Sequence, residues 1–65
     1  MHMLYQLQSL QPNKTIVQLK LKAEKSERRN LIFLQWDEKN QVAVFFEKNR
    51  FLFVNYNEIE RMLII

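Results

Sequence analysis

The chain has 65 residues, a formal net charge of +3, no cysteine, no glycine and one histidine. The missing cysteine excludes disulfides and thiolate metal sites, and the missing glycine excludes glycine-rich phosphate loops. The mild positive charge permits a polyanionic partner without demanding one. One small domain over residues 1–65 is expected, of a size that buries only about 60% of the surface its unfolded chain exposes. Domains this small are usually supported by a disulfide, a metal or a partner subunit. His2 lacks an accompanying carboxylate cluster and sits at a terminus where disorder is common, so no metal or cofactor is expected. A homodimer is.

Residues 3–10 are expected to form a first strand. Their sequence, MHMLYQLQSL from Met1, has neither the basic start nor the small-residue cleavage site of a signal peptide. No apolar run approaches the roughly 20 residues that span a bilayer. The expected location is therefore the cytoplasm, away from any membrane. Gln11-Pro12-Asn13-Lys14 reads as a turn with proline at its second position. Residues 15–22, TIVQLKLK, alternate Thr15, Val17, Leu19 and Leu21 against Ile16, Gln18, Lys20 and Lys22. That is a half-exposed second strand. The charged stretch AEKSERRN, Ala23 to Asn30, bridges to the third strand as a loop or a helical turn.

A repeated tripeptide organises the next part. Glu38-Lys39-Asn40 and Glu47-Lys48-Asn49 are each followed by one polar residue and then an apolar run. Asparagine is the usual substitute where a tight turn needs positive φ and glycine is lacking. A two-residue loop at Lys48-Asn49 sets Glu47 opposite Arg50 and Phe46 opposite Phe51, both favourable cross-strand pairs. The same loop at Lys39-Asn40 sets Glu38 opposite Gln41. Residues 31–36, 41–46 and 51–54 then form an antiparallel meander. The last segment changes period. Asn55 with Glu58 makes a capping box, Val54 and Ile59 a hydrophobic staple, and Tyr56, Ile59, Met62 and Leu63 share a helical face. A short C-terminal helix over about 56–64 is expected. The fold class is α+β but mostly β: a five-stranded antiparallel meander, or a partly closed barrel, with that helix.

Side chains alternate between sheet faces. With two-residue turns, Ile32, Leu34, Trp36, Ala43, Phe45, Leu52 and Val54 share one face, and Leu31, Phe33, Val42, Val44, Phe46, Phe51 and Phe53 the other. An antiparallel sheet with one wet side should alternate apolar and polar; this one is apolar on both. The helix can cover one face. The other needs strands one and two folded over it, or another polypeptide. Phe33, Phe46, Phe51 and Phe53 are therefore the candidate oligomer or partner interface.

Catalysis has little support. Ser9, Thr15 and Ser26 have no recognisable base nearby in sequence, Asp37 suits a turn, and Glu58 and Glu60 suit a first helical turn. Neither an enzyme nor a small-molecule substrate is expected. Nucleic-acid binding has two supports: a basic hairpin arm that can follow phosphates, and sheet aromatics on which bases can stack. The candidate contacts are Lys20, Lys22, Lys25, Arg28 and Arg29, with Arg50 as a peripheral phosphate contact. The alternative is a small accessory or inhibitory protein that acts on another protein through its apolar face.

Overall fold

The structure, a computed structural model, describes residues 3–65; His2 lies outside the described residues. A seven-residue helix α1 (Met3–Ser9) precedes β1 (Ile16–Leu21), β2 (Arg28–Asp37), β3 (Val42–Glu47) and β4 (Arg50–Asn55). A 3-10 turn (Tyr56–Glu58) then leads into β5 (Ile59–Ile64). The five strands form one antiparallel sheet in the order β4-β3-β2-β1-β5, so β4 and β5 are its edges. The sheet is not closed by a β4–β5 ladder, but it must curl. Laid flat, its edges would stand about 19 Å apart at the usual strand spacing. The 3-10 turn that joins them spans three residues, a reach of about 10 Å.

Two expected elements exchange character. Residues 3–10 contain no β-branched side chain and run as α1 instead of a strand. Residues 59–64 run as β5 instead of a helix, because the open edge of β1 offers a ladder from Val17↔Ile64 to Leu21↔Ile59. The capping box is real. Asn57 N donates to the Asn55 side chain, and Asn55 N donates to Glu58 Oε1 at 3.1 Å. It caps one turn of 3-10 helix and no more.

The turns match the sequence closely. Phe46 faces Phe51 and Glu47 faces Arg50, with Lys48 at φ 47° and Asn49 at φ 65°, the positive-φ pair of a type I′ hairpin. In the β2–β3 turn the register is also as expected, with Asp37↔Val42, but Gln41, not Asn40, takes the positive φ of 58°. Pro12 lies in its turn, closed by Lys14 N donating to Gln11 O at 3.2 Å. Arg28 and Arg29 belong to β2, which starts three residues earlier than predicted.

The inner face of the curled sheet holds the core. Val17 and Leu19 from β1, Leu31 and Phe33 from β2, and Ala43 and Phe45 from β3 are buried together with Val54, Ile59 and Met62. Leu7 and Leu10 of the N-terminal segment close over them. A bulge between Phe33 and Gln35 breaks the strict alternation, so Phe33 and Trp36 both turn towards the core. Phe33 is 2% exposed and packs edge-on against Phe45 with ring centroids 5.9 Å apart. It is thus a core residue and no part of an accessible interface. The Val17 and Leu19 side of β1 covers this inner face, which leaves the outer one bare.

Candidate nucleic-acid interface

The outer face carries an apolar row that crosses four strands. Ile16 pairs with Ile32, Ile32 with Phe46, and Phe46 with Phe51. Val44 and Phe53 form the next pair along β3 and β4. The Phe46 and Phe51 rings meet edge-to-face at 5.7 Å, a favourable geometry for aromatic pairs. Phe46 is half-buried by its neighbours. Phe51 and Phe53, on the edge strand, are 66% and 68% exposed. Of the four phenylalanines expected at an interface, three share this outer surface.

The six expected cationic contacts divide. Lys20 donates to Leu21 O at 2.8 Å and to Glu24 O, and lies 3.7 Å from Glu60. Arg28 is held still more firmly. Its Nε and Nη2 donate to the Glu24 carboxylate at 2.9 and 2.7 Å, and its Nη1 to Glu47. The Arg28 hydrogen bond is the main reason the Glu24 carboxyl titrates below its usual range, and in return it raises the Arg28 guanidinium. Lys20 and Arg28 therefore serve as local ties. Lys22, Lys25, Arg29 and Arg50 enter no salt bridge among the described residues. All four are exposed.

Arg28 also fixes where these four stand. By joining Glu24 of the β1–β2 connection to Glu47 at the end of β3, it holds that connection beside the β3–β4 turn. Lys22, Lys25 and Arg29 thus lie at the same end of the sheet as Arg50. An open cleft of about 460 Å³ there is lined by Arg28, Glu47, Lys48, Arg50, Phe51 and Leu52. Three cations, Arg28, Lys48 and Arg50, against two carboxylates, Glu24 and Glu47, leave a net charge of +1 at the cleft, and Phe51 lines the same cleft. Lys48 was not among the residues expected from sequence. Its signal was the two-residue turn itself, which sets it two positions from Arg50.

No group of three or more His, Cys, Asp or Glu side chains positioned to hold a metal occurs among the described residues. Nor is any helix among them long and apolar enough to cross a membrane. Compared with known protein families, curated proteins and solved structures, the chain finds no match.

Proposed function

We propose that the chain is a small non-enzymatic binding protein whose ligand is a single-stranded nucleic acid, DNA or RNA. One observation carries the reading: Phe51 and Phe53 stand two-thirds exposed on the outer sheet face, and Phe51 lines a cleft at the end of that strand together with the cations Lys48 and Arg50. Bases stack on exposed rings whatever their sequence, while flanking cations take the phosphates. Lys22, Lys25 and Arg29 extend the cationic end, and Lys20 and Arg28 shape it. A regulatory role acting through occupancy of the nucleic acid suits a chain of this size.

The test is oligonucleotide affinity as a function of salt. Replacing Lys22, Lys25 and Arg29 by alanine should weaken binding to all sequences alike. It should also lower the slope of log affinity against log salt by about one for each phosphate left without its cation. Unchanged affinity and slope, or no binding at low salt, would reject the reading. A second reading keeps one specific support. The β4 edge is unpaired and flanked by exposed phenylalanine, which also suits an accessory or inhibitory protein that receives a strand from its target.

A further inference from the structure

The backbone of β4 points to a definite partner for its open edge. Along an antiparallel pair, residues alternate between those that bond the neighbouring strand and those whose N–H and C=O point away. In a two-residue hairpin the pair next to the turn is hydrogen-bonded, which here is Glu47 with Arg50. The phase is fixed independently at the far end, where Tyr56 N donates to Gln41 O at 2.7 Å. Arg50, Leu52 and Val54 therefore bond β3, while Phe51, Phe53 and Asn55 turn their backbone groups to the open edge. The Asn55 N–H is already taken by Glu58 Oε1 at 3.1 Å. Phe51 and Phe53 remain, with four main-chain groups and two highly exposed rings.

We propose that this edge is completed by β4 of a second copy, antiparallel, about a two-fold axis through Leu52. In that register Phe51 faces Phe53 of the other copy and the reverse, and all eight edge groups join in four hydrogen bonds. Centring the axis on Phe51 leaves Phe53 opposite the Asn49 turn. Centring it on Phe53 sets Phe51 against Asn55, whose donor is occupied. Only the Leu52 axis uses every group. Inner and outer faces stay in phase across the junction, so four phenylalanine rings meet on one continuous outer surface. A two-fold contact of this kind closes on itself and removes an edge that otherwise invites aggregation. One edge strand from each copy makes a small interface, of the size found in transient associations, so the dimer should build up with concentration. This inference rests on backbone directions and stands apart from the nucleic-acid reading.

Leu52 offers a direct test. Across a non-hydrogen-bonded antiparallel pair the Cα atoms are about 4.5 Å apart, within disulfide range, and the chain has no cysteine of its own. Leu52→Cys, oxidised without nucleic acid, should convert to a disulfide-linked species of twice the 8.0 kDa chain mass. Ser26→Cys, in the β1–β2 connection, should not. A folded Leu52→Cys protein that stays monomeric would overturn the proposal. So would wild-type assemblies larger than a dimer, which would instead pair β4 with the partner's other edge. Should Leu52→Cys fail to fold, amide exchange in the wild type decides. The Phe51 and Phe53 amides should become protected as protein concentration rises, and free exchange at every concentration would reject the dimer and leave the edge to a strand from a different protein.

Discussion

Replacing Phe53 by alanine should separate binding from folding. Phe53 is 68% exposed, so only about a third of the roughly 1.5–3 kcal/mol available from full burial of its side chain is at stake. The expected loss of stability is about 0.5–1 kcal/mol. In a domain of this size, that lowers the melting temperature by roughly 2–8 °C. A base stacked on the ring contributes about 1–3 kcal/mol. Losing it should weaken binding by a factor of roughly 5–150, at about 1.4 kcal/mol per tenfold. Anisotropy of a labelled oligonucleotide reads the affinity, and a thermal melt read by circular dichroism checks the fold. Phe53→Trp should keep or raise the affinity, since any aromatic face can stack. A Phe53→Ala protein that melts near wild type yet binds within twofold of it would refute the stacking surface.

The same geometry sets three other outcomes. Phe45 is fully buried, so Phe45→Ala should cost about 3–5 kcal/mol. That rivals the whole stability of a small domain and should abolish the cooperative melt. Gln41 holds a φ of 58°, unfavourable for a residue with a Cβ. Gln41→Gly should therefore raise stability by about 0.5–1 kcal/mol in denaturant titration, and Gln41→Val should lower it. The carboxyls of Glu24, Glu27 and Asp37 are held below their ordinary values by hydrogen bonds, mainly from Arg28, from Gln18 with Arg61, and from Asn40 respectively. A depressed folded-state pKa stabilises the fold above the unfolded value and loses that contribution as pH falls through the folded one. Melting temperature should hold from neutrality to about pH 4.5 and then decline as the pH is lowered, less steeply in high salt.

What the sequence revealed depended on how local the cause was. The Lys48-Asn49 hairpin was legible in full, because two residues of positive φ fix the register of their flanks. The Asn55–Glu58 capping box was equally legible, but a cap announces only a first turn. The conformation of residues 59–64 beyond it was decided by the distant edge of β1. Bulges hid the rest. Between Lys20 and Leu21 the β1–β5 register shifts, so Ile59 and Met62, three apart, both turn inward and imitate a helical spacing. The bulge after Phe33 does the same to Phe33 and Trp36, which moved Phe33 from the expected interface into the core. At the N-terminus the Leu7 and Leu10 spacing and the lack of β-branched residues were signals of a helix. The bare outer face was visible as two apolar faces with too little to cover them. Which cations were free was not, because the ties of Arg28 to Glu24 and Glu47 and of Lys20 to Glu60 form only in three dimensions.

In the proposed function, the outer surface of β3 and β4 receives the ligand together with the cations at its end. The most direct measurement is a backbone amide NMR titration with a short unstructured oligonucleotide at low salt. Shifts concentrated at Phe46, Lys48, Arg50, Phe51 and Phe53, with the core amides of Phe33 and Phe45 little changed, are the predicted result. Shifts confined to α1 and the β2–β3 turn, or none at saturating oligonucleotide, would contradict it.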